Sequence, residues 1–497
     1  MKKIIILCLT ELLLAIGVKA QSNFNKTWIL GAQYTFKVSF DSIKPRVQII
    51  DSFSQNYFAL GASGICDSEG HAILLSSGCN ILDSHRVAIQ GGDTIGGRAY
   101  ASHYNNFSID PQNSLILPFE HGIYYVVYST VSDSVFNNVW LGPIGGDAVM
   151  EELMYSKVDM KQSSVNGKGV VIQKDVKLLE HENLSKVQMM ACKHGNGIDW
   201  WLFKQARGTN KIFKFLFTRD SVYNYGVQTF PEPVFGTFDL AGQMAFSLDG
   251  TKLASTLTDQ NLNVFIADFD RCAGVLSNPM VKKVPVLPGH NPWDPSEMDT
   301  DCSGVAFSPS NRYLYVTKST NLVQLDLMDA DTNTQWSTIS GLDTTWDNFS
   351  GFVGLFYGPD TNLYIGTWGA QSYFFSAIEN PEAKGANCNF CRACLRFPKN
   401  NGSSPPNMPN YDLGSNGLCN PLSTVNVTKH TLTMEVYPNP SNDVIYIKHA
   451  DDFEKKLYNN LGQHILTTTR NIIDIKSLPK GLYMLHCEGQ TIKIILE

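Results

Sequence analysis

The 497 residues carry 39 Lys and Arg against 46 Asp and Glu, a formal net charge of −7, and 43% of them are hydrophobic. Such a length allows two or three domains with real apolar cores, which excludes a disordered scaffold. The acidic balance, with no basic stripe along the chain, argues against nucleic acid as a partner, because phosphate binding asks for a cationic face.

At the N-terminus Lys2 and Lys3 precede an apolar run over residues 4–16, which is short for a membrane span and has the length of a signal-peptide core. Val18 and Ala20 occupy the positions that signal peptidase reads. Residues 1–20 are therefore expected to be a secretory signal, with the mature chain starting at Gln21. Cys8 leaves with it, and ten of the 11 cysteines remain in an exported chain where disulfides persist. Beyond the signal the apolar runs are only strand-length, so no transmembrane helix is expected.

Short apolar or alternating runs then recur over residues 28–38, 71–75, 122–128, 170–176, 211–217, 263–268, 313–317 and 363–367, separated by Gly, Asn, Asp and Pro. This pattern predicts an all-β body with little helix. Residues 151–161 fit a helix and a strand equally well. In the second half, residues 244–253 (MAFSLDGTKL) align with residues 305–314 (VAFSPSNRYL) at an offset of 61, and residues 354–363 (GLFYGPDTNL) follow at an offset of 49. Each copy reads as a strand, a tight polar turn and a second strand. One hairpin cannot bury its own face, and a repeat near 40 to 50 residues is the spacing of a four-stranded propeller blade. Residues 21–430 are expected to form a β-propeller of about seven blades.

Several clusters are candidates for chemistry. Cys66 and Cys79 flank one predicted hairpin, and a disulfide closing that loop of about 14 residues contributes on the order of 3 kcal/mol in the chain-entropy model. Cys388, Cys391 and Cys394 have C-x-x-C-x-x-C spacing, with Cys419 beyond. Disulfides, one of them reaching Cys419 to close the final blade, are the expectation in an exported chain; zinc or an iron–sulfur cluster is the alternative. Cys192, Cys272 and Cys302 are isolated, which leaves buried thiols or a Cys272–Cys302 bridge open. Asp294, Glu297, Asp299 and Asp301 fall within eight residues beside Trp293, an oxygen cluster of the kind calcium takes; a solvated acidic loop is the plainer reading. No other cofactor is expected. His194, Asp199 and Trp201 are the candidates for a sugar-stacking surface; core packing is the stronger expectation, since adjacent Trp200 and Trp201 on a strand point to opposite faces.

On the segments Cys66-Asp67-Ser68-Glu69-Gly70 through Ser77-Gly78-Cys79, residues 155–160 with Gly167-Lys168-Gly169-Val170, residues 193–201, Phe269-Asp270-Arg271-Cys272 through residues 276–279, and the A-F-S-P hairpin, the body resembles a family of secreted Bacteroidetes proteins with a propeller-like body and a type IX sorting domain. That resemblance spans most of residues 40–415 and brings no activity with it. Over residues 431–497, Tyr437, Pro438, Asn439 and Pro440, then Gly462 within Y-N-N-L-G-Q, then Gly481 within L-P-K-G-L-Y resemble the three landmarks of the sorting domain. The resemblance implies a small Ig-like β-sandwich, recognition by the type IX translocon, and delivery through the periplasm to the outer-membrane surface or the medium.

The sequence contains no G-x-S-x-G, H-E-x-x-H or Walker motif. A binding module for a protein or glycan ligand is the leading expectation. A secreted hydrolase or lyase acting on glycans or peptides is the alternative, and a passive surface-layer component is a third.

Overall fold

The structure is a computed structural model that describes residues 23–52, 58–140, 149–164, 167–232, 235, 242–257, 263–288, 298–299, 302–318, 321–341, 351–368, 373–402, 404–417, 419, 428–429, 435–448, 454–487 and 490–497. The chain divides into two compact units, Met1–Thr428 and Lys429–Glu497.

Among the described residues of the first unit, seven antiparallel meanders follow one another, each built of three or four strands paired in chain order, beside a two-stranded ribbon of Leu287–Pro288 and Met298–Asp299. Sheet 1 holds Thr27–Leu30, Tyr34–Ser39 and Arg46–Ser52, and sheet 2 holds Ser63–Cys66, Ala72–Ser76 and Ile81–Asp83. Sheet 3 holds Ser114–Pro118, Ile123–Thr130, Glu152–Ser164 and Gly167–Leu179. Sheet 4 has four long strands, Leu184–Lys193, Trp200–Ala206, Lys211–Phe217 and Val222–Thr229. Met244–Phe246, Lys252–Leu257, Asn263–Asp270 and Val275–Lys283 form sheet 5; Cys302–Phe307, Tyr313–Lys318, Leu322–Asp326 and Trp336–Ser340 form sheet 6; Gly351–Tyr357, Leu363–Trp368, Phe374–Ile378 and Phe390–Arg396 form sheet 7. The segment that fitted helix and strand equally is a strand, Glu152–Ser164. Its neighbours supply the reason: Ile123–Thr130 and Gly167–Leu179 pair with it on both edges. Among the described residues helix is confined to short pieces such as Arg98–His103.

The first apolar run, residues 28–38, is two strands. Gly31 breaks it at φ +122°, where a Cβ would lie 2.0 Å from the Tyr34 carbonyl oxygen, so only glycine lets the chain turn back there. The repeated unit seen in the sequence is the first hairpin of sheets 5, 6 and 7. Its turn puts Gly250, Asn311 and Thr361 at positive φ in equivalent positions. In two copies a serine hydroxyl holds the turn: Ser247 Oγ accepts from the Lys252 N–H at 2.9 Å, and Ser308 Oγ from the Tyr313 N–H at 3.0 Å.

Consecutive sheets are glued by apolar side chains, because each meander leaves a face it cannot cover alone. Val264 and Ile266 of sheet 5 pack with Val305, Leu314 and Val316 of sheet 6. Tyr313 and Tyr315 of sheet 6 pack with Phe352, Leu363 and Ile365 of sheet 7. Phe375, Ala377 and Leu395 of sheet 7 share a cluster with Trp28, Phe36 and Val38 of sheet 1, and Ile29 of sheet 1 meets Leu75 and Leu82 of sheet 2. Edge-to-face aromatic pairs join sheets 3 and 4 (Tyr125–Phe217) and sheets 4 and 5 (Phe203–Phe269). From sheet 1 to sheet 7 the first strand of each sheet lies beside the first strand of the next.

The second unit has two antiparallel sheets, one of Glu435–Tyr437, Val444–Lys448 and Ile472–Asp474, the other of His464–Thr468, Lys455–Asn459, Gly481–Cys487 and Gln490–Leu496. Ile445, Ile447 and Ile473 of the first share a core with Leu457, Leu485 and Ile494 of the second. Cys487 is a buried thiol in that core. Among the described residues no helix is long and apolar enough to cross a membrane.

Candidate functional site

Directly after sheet 7 the described residues 397–402 and 404–417 form no strand. Residues 404–417, with the sequence SPPNMPNYDLGSNG, contain three prolines that cannot donate to a sheet ladder, and the segment runs extended as a strap across the sheets already laid down. Asn407 donates its backbone N–H to Ala62 (2.9 Å) and accepts from Ser63 Oγ (2.7 Å) on sheet 2, while its Nδ2 reaches the Ser114 carbonyl of sheet 3 at 3.1 Å. Tyr411 donates its hydroxyl to Ile116 O of sheet 3 at 3.0 Å, and Lys193 Nζ of sheet 4 donates to Tyr411 O at 3.0 Å. Asn410 Nδ2 donates to Leu248 O at 2.8 Å and Arg271 to Gly414 O at 2.6 Å, both on sheet 5. The strap ends in a disulfide between Cys419 and Cys272, in the turn after the third strand of sheet 5.

Beneath the strap, buried side-chain amides join first strands of different sheets. Gln112, ahead of sheet 3, exchanges two hydrogen bonds with the backbone of Met244 on sheet 5 (2.8 and 2.9 Å). Gln243 Oε1 accepts from the backbone N–H of Val305 on sheet 6 (3.0 Å) and of Leu355 on sheet 7 (2.8 Å), and its Nε2 donates to Leu355 O (2.7 Å). Buried backbone groups of the first strands thereby find partners.

A cavity of about 430 Å³ lies between the strap and the first strands, walled by Phe246, Phe307 and Tyr357 and by the polar side chains of Asn25, Gln243 and Asp412. Asn25 Oδ1 is buried there without a hydrogen-bond partner. Burial lowers the pKa of the neighbouring Lys193 ammonium, and the Asp412 carboxylate works against that shift. The volume falls within the range of small-molecule sites. The strap residues carry no sequence motif; the signal for them was the apolar Met408, Tyr411 and Leu413 between prolines and asparagines, a composition that fits neither strand nor solvated loop.

His194, Asp199 and Trp201 are brought together, but around the strap's anchor. His194 Nε2 lies 3.1 Å from Cys272 O, Asn196 Nδ2 donates to Asp199 Oδ2 at 2.7 Å, and the buried Trp201 donates its indole N–H to Arg271 O at 2.8 Å. The Trp201 ring also packs on Gly274, where a Cβ would lie 2.4 Å from it. Arg271 in turn holds Lys193 O at 2.9 Å. His194 and Trp201 clamp the turn that carries Cys272, Asp199 is held within its own turn, and the Trp201 ring is packed against protein, as the core-packing reading of the tryptophan has it.

The cysteine pairing differs from expectation. Cys66 and Cys79 are free and buried, because the hairpin register pairs Cys66 with Ala72 and Ser63 with Ser76. Cys66 thus sits at the turn end and Cys79 beyond the open end, roughly three strand residues or about 10 Å apart, too far for a bridge. Cys272 pairs with Cys419 and not with Cys302, so Cys419 does not close the last sheet. Cys391 bonds Cys394, while Cys388 is a buried thiol near Tyr315. These pairings leave the C-x-x-C-x-x-C triplet without Cys419 and take Cys388 out of it. Asp294, Glu297 and Asp301 lie outside the described residues, and Asp299 is placed only as part of the two-residue strand Met298–Asp299.

In the second unit each sequence landmark has a structural task. Tyr437 ends the first strand, and after it Pro438, Asn439 and Pro440 form a bend in which Asn439 accepts from Ile495 N (2.9 Å) and donates to Lys493 O (2.7 Å), tying the bend to the last strand. Gly462 takes φ +76° in the turn between Lys455–Asn459 and His464–Thr468, and Gly481 takes φ +148° where its strand begins.

No curated protein matches the chain in sequence. Among solved structures, the periplasmic gluconolactonase PpgL of Pseudomonas aeruginosa is similar at 12% identity over 95% of this chain and 99% of its own, with a TM-score of 0.36. Hsv2 of Kluyveromyces lactis matches at 11% identity over 72% of this chain and 90% of its own, with a TM-score of 0.36. PorZ of Porphyromonas gingivalis, described as a bacterial surface component of the type IX secretion system, matches at 9% identity over 95% of this chain and 74% of its own, with a TM-score of 0.26. None of these likenesses is close enough to carry a function over. Residues 435–497 match the family model of the secretion system C-terminal sorting domain, so the chain ends in a type IX sorting domain, the tag of a protein exported to the cell surface or beyond.

Proposed function

We propose that this exported chain is a seven-bladed β-propeller, followed by a small Ig-like sandwich, that acts at the cell surface as a binding module. Supporting the propeller are seven consecutive meanders, first strands side by side, and the return of sheet 7 onto sheet 1. The single observation that carries the binding function is the 430 Å³ cavity under the strap, whose lining combines aromatic faces, the Asp412 carboxylate and the unpartnered Asn25 Oδ1. Such a lining suits a small hydroxyl-rich molecule, which stacks a ring on an aromatic face and donates hydrogen bonds to the amide and carboxylate oxygens.

The test is calorimetry of the full-length exported protein against a panel of mono- and oligosaccharides, with Asn25→Ala and Asp412→Asn beside the wild type. Loss of one hydrogen bond to a buried polar group weakens binding at least about tenfold. A ligand held equally well by both variants, or none bound across the panel, sinks the reading. Turnover of a bound glycan would move the protein to the alternative, a secreted hydrolase or lyase. Export is tested separately: a chain lacking residues 435–497 should accumulate in the periplasm, and normal surface display of that truncation would remove the sorting role.

A further inference from the structure

We propose that Cys391, Cys394 and Glu379 form a redox-gated metal site that takes a zinc-type divalent cation when the two cysteines are thiols and is closed when they are a disulfide. Phe390–Arg396 is the edge strand of sheet 7. Its register against Phe374–Ile378 pairs Phe375 with Leu395 and Ala377 with Cys391, so Ser376 alone faces residues 392–394. The extra residues bulge outward around Ala393, which has φ +59° and whose N–H is held by Ser376 Oγ at 3.3 Å. A bulge of this kind re-aims side chains at a sheet edge, and here it turns Cys394 back until its Sγ lies 3.4 Å from Cys391 O.

Glu379 is brought to the same spot from the end of the neighbouring strand. Its backbone N–H donates to Asn389 O at 3.2 Å, and Asn389 Nδ2 donates to its carboxylate, the orienting contact a ligating carboxylate normally has. One donor atom from each of Glu379, Cys391 and Cys394 lies within 4.8 Å of the other two. Two thiolates and one carboxylate select a borderline cation such as zinc over calcium or magnesium, and leave a fourth tetrahedral position for water or a ligand.

Gating follows from exposure and chain length. Cys394 and Glu379 are exposed, so a reductant and an ion both have access. The bond closes a sequence separation of 3, against 147 for Cys272–Cys419, so opening it releases little chain entropy. A thiol reductant supplies two electrons and two protons, the S–S bond becomes two thiols, and the reductant leaves as its own disulfide. The cation then displaces both thiol protons to solvent, and the sulfurs separate to about 3.8 Å, the edge of a tetrahedron with metal–sulfur bonds near 2.3 Å.

The experiment uses the full chain, reduced with a phosphine, desalted anaerobically and titrated with Co²⁺ as a spectroscopic stand-in for zinc. Expected are a thiolate-to-cobalt charge-transfer band saturating at one equivalent, its loss on adding Zn²⁺, and its absence both in the unreduced protein and in Cys391→Ser/Cys394→Ser. Glu379→Gln should weaken Co²⁺ at least about tenfold, while near-ultraviolet circular dichroism stays native. A band that survives in the Cys391→Ser/Cys394→Ser chain, no band in the reduced wild type, or a Cys391–Cys394 bond that resists the phosphine in the folded protein would each overturn the proposal.

Discussion

Replacing Gly195 by alanine should cost this protein its strap anchor. Gly195 lies in the turn between the first two strands of sheet 4, and a Cβ there would stand 2.2 Å from Cys419 Sγ and 2.6 Å from Cys272 Sγ. Contacts that short do not occur between real atoms, so the disulfide must shift or fail to close. Its contribution bounds the loss: a bridge across a sequence separation of 147 is worth about 5 kcal/mol in the chain-entropy model, and native bridges typically measure 2–5 kcal/mol. Gly195→Ala is therefore expected to destabilise the first unit by about 2–5 kcal/mol. All eight tryptophans precede residue 429, so urea unfolding followed by tryptophan fluorescence reports on that unit without interference from the sorting domain. The decisive comparison is with Cys272→Ala/Cys419→Ala, in which the two sulfurs are gone and the same Gly195→Ala change should cost less than about 1 kcal/mol, because the remaining close contact, Asn416 Oδ1 at 2.9 Å, is the end of an exposed side chain that can give way. Equal losses in both backgrounds would refute the steric argument, as would a Gly195→Ala protein that keeps the disulfide by intact mass and unfolds at the wild-type urea concentration.

Two further expectations concern the interior. Gln243→Met keeps the volume but strips two backbone N–H groups and one carbonyl of their partner at the meeting of sheets 5, 6 and 7; at about 1–3 kcal/mol for each buried group left unsatisfied, a loss of about 3 kcal/mol or more is expected in the same urea assay, and a loss below about 1 kcal/mol would show that the amide is dispensable. Burial pushes the Cys66 thiol up to about 11 and the Cys192 thiol up to about 12. Below about pH 8 both stay protonated folded or unfolded and their contribution to stability is whole. Above it the unfolded chain releases protons that the folded chain retains, so stability falls as pH rises towards those values, by about 1.4 kcal/mol per pH unit for each group. Urea midpoints at pH 8 and pH 10 should separate accordingly, and the separation should shrink in Cys66→Ala/Cys192→Ala; an unchanged separation would assign the alkaline loss elsewhere.

Much of the architecture was legible because it rests on local chemistry. Period-two alternation and turn residues write strands directly into the sequence, and the hairpin repeat at residues 244–253, 305–314 and 354–363 marks sheets 5 to 7 because each turn needs a residue that tolerates positive φ. The first four sheets were less legible. Gly31 hides a hairpin inside one apolar run, and the long strands of sheet 3 carry several register shifts that blur their alternation. The sorting domain was read from its landmarks, since Asn439, Gly462 and Gly481 each meet a requirement set by the few residues around them.

The candidate site was not legible in the same way. His194, Asp199 and Trp201 were picked out for their chemistry, yet His194 and Trp201 bond the Cys272 and Arg271 carbonyls of sheet 5, 78 and 70 residues further on, and clamp that turn, while Asp199 is held by Asn196 in its own turn. Cys66 and Cys79 are near in sequence but stand at opposite ends of a hairpin, while Cys272 and Cys419 meet only because the strap crosses sheets 2 to 5. By itself the sequence determined strand content, the export tag and the hairpin repeat, all governed by interactions within a few residues. The tertiary structure alone decided which cysteines pair, where the proline-rich segment lies and that it roofs a cavity, because each depends on contacts between parts of the chain that its local chemistry does not encode.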